Sequence, residues 1–228
     1  MAEIAANLKL VKDRVAAAAE RSGRRPGEVE LVVVTKKWPV EVIREVQQAG
    51  HDLFGENKLQ EALEKLSRLP GARWHFIGRL QRNKVRKVVP EFEAVHSVDS
   101  LRLAEAVDRV AGELGLRPRV YLQVNLAGET TKGGFSADGL RGEIERILRL
   151  AHLEVAGFMC MPPPLPAAEE VRPWFRDLRL LRDELRDRTG RPFSGLSMGM
   201  SHDFEVAIEE GATIVRIGSA IFGPRPTG

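Results

Sequence analysis

Residues 31–39, LVVVTKKWP, decide the reading of this chain. Leu31, Val32, Val33 and Val34 form a short apolar run rich in β-branched side chains, as a parallel strand covered on both faces requires. The run ends in Thr35, Lys36 and Lys37. An ammonium at the carboxyl end of a dry strand loses hydration. The resulting fall in pKa frees a neutral amine that attacks carbonyls and forms a Schiff base. The plainer alternative is that both lysines curl into solvent where the strand stops. Strand alternation does not separate Lys36 from Lys37.

Outward from this segment, helix and strand alternate. A helix is predicted at 3–22, with Ile4, Leu8, Val11 and Val15 at helical spacing and Ser22-Gly23 as its stop. Further strands are predicted at 52–55, 73–77, 94–98, 119–125, 153–159, 195–198 and 213–217. Helices are expected near 40–49, 57–68, 80–89, 101–114, 137–150 and 203–210, and one long helix runs from the proline run at 162–166 to about 188. Alternating βα units imply a parallel sheet, and eight of them imply a single (β/α)8 TIM-type barrel over residues 1–228 with an extra N-terminal helix. That extra helix is expected to cover the gap after strand eight, where little chain remains. A doubly wound open sheet is the competing architecture. No GxGxxG follows the first strand, which argues against a dinucleotide site.

Composition narrows the function classes. With 228 residues, 43% hydrophobic, the chain can bury a sizeable core. Its 35 basic and 32 acidic side chains leave a net charge of +3, too mild to imply nucleic acid. One cysteine, Cys160, excludes an internal disulfide and fits a reducing cytoplasm. No apolar run reaches membrane-spanning length, and the first ten residues, MAEIAANLKL, read as an amphipathic helix and not a secretion signal.

In such a barrel, chemistry gathers at the carboxyl ends of the strands. Lys36 stands after strand one, Glu56 and Asn57 after strand two, Gly78 after strand three and Asn125 after strand five. Strand seven runs into Ser197-Met198-Gly199-Met200-Ser201 and strand eight into Arg216-Ile217-Gly218-Ser219. Small residues there let backbone N–H groups converge, and Ser201 is expected at the start of the next helix, where an anion meets the positive end of the dipole. The alternative is a capped helix and a tight turn. A Schiff-base lysine and a phosphate cradle in one barrel mouth are the partners that pyridoxal 5′-phosphate needs.

The segments VTKKWP, FGENKLQE, WHFIGRLQRNK, HSVDS, QVNLAGETTKGGF and LSMGMSHDFEVAIEEGATIVRIGSAIFG resemble the pyridoxal phosphate homeostasis protein family, which has the barrel of the alanine racemase N-terminal domain. The resemblance spans roughly residues 30–224 and implies that Lys36 carries pyridoxal 5′-phosphate as a Schiff base. It implies that Ser201, Gly218 and Ser219 hold the phosphate and that Asn57 lies beside the cofactor. Arg216 matches the arginine of the family's VRIG motif. It would meet the ring nitrogen, keeping it unprotonated, or the phosphate; otherwise it is a buried ion pair. Two departures stand out. Lys58 replaces an aromatic residue of many relatives, and Arg79 and Arg82 make the LQRNK segment unusually basic.

Other residues offer less. The five histidines show no metal-ligand spacing, and His75 reads as a hydrogen-bonded core residue. Glu56 is a general acid–base candidate or a structural carboxylate. The segment 79–87 meets an anionic partner or is a solvated helix face, and Lys132 is a second aldehyde-reactive amine or a plain exposed lysine. The expected function is a non-catalytic cytoplasmic carrier, monomeric, that buffers pyridoxal phosphate and delivers it to apoenzymes. The alternative is a pyridoxal-phosphate-dependent amino-acid racemase, which needs acid–base groups on both faces of the cofactor. The one tyrosine, Tyr121, falls early in strand five, far from the expected mouth.

Overall fold

Each apolar run becomes a strand in the computed structural model, which describes residues 2–129 and 133–224. The strands are β1 (Glu30–Val34), β2 (Leu53–Glu56), β3 (Arg73–Phe76), β4 (Ala94–Val98), β5 (Arg119–Gln123), β6 (Glu154–Met159), β7 (Gly195–Ser197) and β8 (Ile214–Ile217). All pair in parallel and in order, and β8 closes onto β1 with Val32 opposite Arg216 and Val33 opposite Ile217. The helices are α1 (Ala2–Arg21), α2 (Val40–Gln48), α3 (Leu59–Arg68), α4 (Val85–Val88), α5 (Leu101–Leu114), α6 (Ala137–Leu148), α7 (Arg172–Thr189), α8 (Phe204–Glu209) and α9 (Ser219–Phe222). The molecule is a (β/α)8 barrel with an N-terminal helix.

The strands divide their side chains between two faces, because successive side chains point to opposite sides, with register irregularities at β4–β5 and β5–β6. Val32, Leu53, Ala94, Tyr121, Ala156, Met159 and Ile214 form a cluster inside the barrel. Val33, Phe54, Val95, Leu122, Leu196 and Val215 join the larger layer between sheet and helices. Helix α2 buries Val40, Ile43 and Val46, its one apolar stripe. Helix α5 starts where the Ser100 hydroxyl accepts from the Leu103 N–H.

Helix α1 covers the end of the barrel circuit, as its apolar spacing predicts. Leu8, Val11 and Val15 are buried, the Asn7 amide donates to the Ile221 carbonyl at 3.1 Å, and Arg14 grips Glu205 through two nitrogens.

Three elements differ from expectation. The helix expected at 80–89 is a 3-10 turn (Arg82–Lys84) followed by the single turn of α4, with residues 81–84 all exposed and so no apolar face to pack a longer helix there. The chain after β8 does form a helix, the one turn of α9. Helix α8, expected near 203–210, runs Phe204–Glu209, but the expected start at Ser201 is not found, since the Asp203 carboxylate takes the Met200 N–H at 2.6 Å and residues 201–203 form a turn. Ser201 therefore precedes the helix and does not stand at its first turn. Among the described residues no helix is long and apolar enough to cross a membrane.

Candidate functional site

Beyond β1 the chain turns sharply, and the turn separates the two lysines. Thr35 is fully buried, Lys36 is half-buried, and Lys37 is exposed. Lys37 sits in the left-handed region at φ 68°, with its N–H donating to Glu61 Oε1 at 2.5 Å.

Two contacts bring this turn against the loop after β8. A Cβ on Gly218 would lie 3.1 Å from the Val34 carbonyl oxygen, a tight contact that glycine avoids where the two strand ends approach. Past the lysines, Trp38 stacks on Phe222 of α9 with ring centroids 5.2 Å apart.

At that junction two backbone amides converge. Gly218 N and Ala220 N donate to the Ser201 hydroxyl oxygen at 3.2 and 3.3 Å, joining the loops after β7 and β8. Ser219 opens α9 and is exposed. The point both amides address is a place for an acceptor oxygen, the local chemistry of an anion cradle.

Arg216 lies below, two residues before Gly218 on the inward face of β8. It is only 5% exposed. Its guanidinium donates to the Ser197 hydroxyl at 2.5 Å and to the Cys160 carbonyl at 3.0 Å. No carboxylate comes within ion-pair range of it among the described residues, so the expectation of a buried ion pair is not met. Burial pushes its pKa down from the ordinary arginine value, opposed by the nearby Cys160 and Asp203. A buried cation without a counter-charge is costly unless an acceptor or anion approaches it. Asn57, half-buried after β2, is held by a backbone contact so close that a Cβ on Gly78 would fall 2.0 Å from the Asn57 carbonyl oxygen.

Beneath Arg216 runs a polar chain that the sequence reading did not assemble. His96 Nδ1 meets the Ser197 hydroxyl at 2.8 Å and His96 Nε2 meets His75 Nδ1 at 3.0 Å. Both rings are fully buried, and the His75 Nε2 has no partner. Desolvation by burial drives the His75 pKa down to about 4 and the His96 pKa well below its ordinary value, so both are neutral near pH 7. His75 is the hydrogen-bonded core residue that the sequence predicted. Period-two parity within β3, β4 and β8 was the signal available for the rest. No group of three or more His, Cys, Asp or Glu able to hold a metal occurs among the described residues.

Other candidates fall elsewhere. Tyr121 stacks on His96 inside the barrel and lines a cavity of about 950 Å³ at the opposite end, together with Leu31, Leu53 and Arg119 near the strand starts. None of Lys36, Asn57, Ser201, Arg216, Gly218 or Ser219 borders that cavity. Glu56 is buried and accepts from Thr35 and Lys65, and burial raises its pKa. Arg79 and Arg82 line an exposed cleft of about 400 Å³ with Asp99 and Arg102, whereas Arg86 pairs with Glu113. Lys132 lies outside the described residues.

Comparison with known proteins places this geometry in a family. The sequence profile of the alanine racemase N-terminal domain matches residues 3–226. The chain is 46% identical over 220 residues to the pyridoxal phosphate homeostasis protein of Aquifex aeolicus, covering 96% of each. It is 42% identical over 231 residues to that of Pseudomonas aeruginosa, covering 100% of this chain and 98% of the relative. PipY of Synechococcus elongatus PCC7942, solved with PLP bound, superposes with a TM-score of 0.83 at 40% identity, covering 93% of this chain and 100% of PipY. On this sequence match across its whole barrel, the chain belongs to the pyridoxal phosphate homeostasis protein family.

Proposed function

We propose that this protein binds pyridoxal 5′-phosphate through a Schiff base to Lys36 and serves its homeostasis, buffering the cofactor and delivering it to apoenzymes. One observation carries the reading: the half-buried Lys36 turn lies directly against the loop where Gly218 N and Ala220 N converge on Ser201. The residues fit the group. The two amides and the Ser201 hydroxyl, with Ser219 beside them, would take the phosphate. Asn57 would orient the ring. Arg216, a cation that stays charged when buried, would answer the acceptor side of the ring and keep its nitrogen unprotonated. When bound, the cofactor supplies an electrophilic aldehyde carbon and a ring that accepts electrons.

The reading favours holding over transformation. A permanent cation beside the ring nitrogen weakens the ring as an electron sink. Racemisation needs a second acid–base group across the ring, and Tyr121 is packed inside the barrel toward the other end. A single chain in the cytoplasm completes the proposal.

The test is an absorbance spectrum of the purified protein before and after borohydride, with mass mapping of the reduced adduct. A band near the visible edge that reduction fixes on the Lys36 peptide is expected. It should vanish in Lys36→Ala and persist in Lys37→Ala. A colourless protein that takes up no added pyridoxal phosphate, or an adduct on Lys37, would overturn the assignment.

A further inference from the structure

Lys65 lies in the middle of α3, four residues after Glu61, a spacing that ordinarily marks an exposed surface pair. Here the lysine side chain is only 4% exposed. Its ammonium donates to the Thr35 carbonyl at 2.8 Å, to Glu56 Oε1 at 2.6 Å and to Glu61 Oε1 at 2.6 Å. An ammonium has three N–H donors, and three acceptors surround this one. Each carboxylate oxygen does a second job. Glu56 Oε1 also accepts from the Thr35 hydroxyl at 2.5 Å, and Glu61 Oε1 also accepts from the Lys37 N–H at 2.5 Å. Both neighbours of Lys36 in the chain are thus tied to one buried cation, Thr35 at its carbonyl and hydroxyl and Lys37 at its amide.

This matters because the turn offers two adjacent amines. Long lysine side chains are mobile, and a loose turn would present either one to an aldehyde. Lys37 is kept outward by a left-handed backbone conformation that a non-glycine residue adopts only when its surroundings hold it. Its amide is satisfied by Glu61 in that conformation. Burying a lysine and a glutamate, with Glu61 half-buried beside them, is a poor route to stability compared with apolar packing, and a role in specifying one arrangement accounts for the cluster better.

From this geometry we infer that Lys65, acting through Glu56 and Glu61, is a positioning group that selects Lys36 over Lys37 as the amine presented to the cofactor. The inference rests on the reading of Lys36 as the cofactor's anchor.

Glu61 gives the test, since its side chain is 26% exposed and its replacement leaves the core intact. Wild type, Glu61→Ala and Glu61→Gln are each titrated with pyridoxal phosphate, reduced with borohydride, and mapped by fragmentation to Lys36 or Lys37. Wild type should be labelled at Lys36 alone. Glu61→Ala, which frees the Lys37 amide, should bind about tenfold more weakly and carry label on both lysines. Glu61→Gln keeps an oxygen for the Lys37 N–H and should return the label to Lys36. A merely structural role would shift melting without moving label between neighbouring lysines. Label confined to Lys36 in Glu61→Ala, with unchanged affinity, would overturn the inference while leaving the anchor in place. A wild type with no label at Lys36 would overturn the anchor and the inference together.

Discussion

Replacing Arg216 by methionine should stabilise the cofactor-free protein, or leave it unchanged, while weakening cofactor binding. The guanidinium is 5% exposed and makes two hydrogen bonds, to the Ser197 hydroxyl and the Cys160 carbonyl. Charged hydrogen bonds contribute about 1.5–3 kcal/mol each. Withdrawing a guanidinium from water costs several kcal/mol, and no carboxylate within ion-pair range offsets it among the described residues. After substitution Ser197 loses the arginine donor but its hydroxyl keeps His96 Nδ1 at 2.8 Å, whereas the Cys160 carbonyl loses the bond it accepts from Arg216. The net change expected is between zero and about 2 kcal/mol of added stability. For a chain of this length that raises Tm by up to ~8 °C, at roughly 2–4 °C per kcal/mol. On the proposed reading, in which Arg216 faces the ring, its loss should cost at least about 1.4 kcal/mol of cofactor affinity, which is tenfold. Thermal melts without pyridoxal phosphate and absorbance titrations with it, on wild type, Arg216→Met and Arg216→Gln, measure both quantities. A fall in the cofactor-free Tm with affinity unchanged would show that Arg216 serves the fold and not the ligand.

Two further outcomes follow from the same interior. Burial holds the His75 pKa near 4, below the 6.5 of an unfolded histidine, so the unfolded chain binds more protons between these values. Stability is complete above about pH 6.5 and falls as pH drops toward 4, by on the order of 3 kcal/mol. His96 acts in the same direction. Urea midpoints at pH 7.5 and 5.0 should show the loss, and His75→Phe should reduce it; an unaltered pH slope in the variant would remove His75 as the source. Gly78→Ala forces a Cβ to within 2.0 Å of the Asn57 carbonyl oxygen, a backbone atom that cannot swing aside. It should destabilise by about 1–3 kcal/mol and displace Asn57, lowering cofactor affinity. Wild-type affinity and melting in this variant would mean that the contact yields freely and does not position Asn57.

Much of the barrel was legible because its signals are local. Val32 to Val34 is a β-branched run, and Ala94 to Val98 and Ile214 to Ile217 are mostly apolar segments interrupted by His96, Ser97 and Arg216; each is a strand. The stop of α5 at Gly115, with φ 65°, is likewise written in one residue. The misplaced elements lacked such signals. The segment 82–88 holds only Val85 and Val88 as buried residues, so its charged run looked more helical than it is. Asp203 and not Ser201 governs the entry to α8, because a side chain that accepts from the residue three before it cannot be told by sequence from one that caps forward.

The functional side chains divide in the same way. Lys36, Gly218 and Ser201 lie where strands one, seven and eight end, and strand ends are countable along the chain. The Lys65 cluster and the His75–His96–Ser197–Arg216 chain are not countable, since their members come from three and four parts of the chain and meet only once the barrel closes. An isolated Glu61–Lys65 pair reads as a solvated helix face, and only the packing of α3 against β1 and β2 makes it buried. The amino-acid sequence by itself determined the order of strands, the parity of each residue on them and the chemistry available at their ends, because these follow from short-range periodicity. The tertiary structure alone decided which polar groups lose water together, and hence which lysine is half-buried and which cation lacks a counter-charge, because burial and partnership depend on chain segments far apart in sequence.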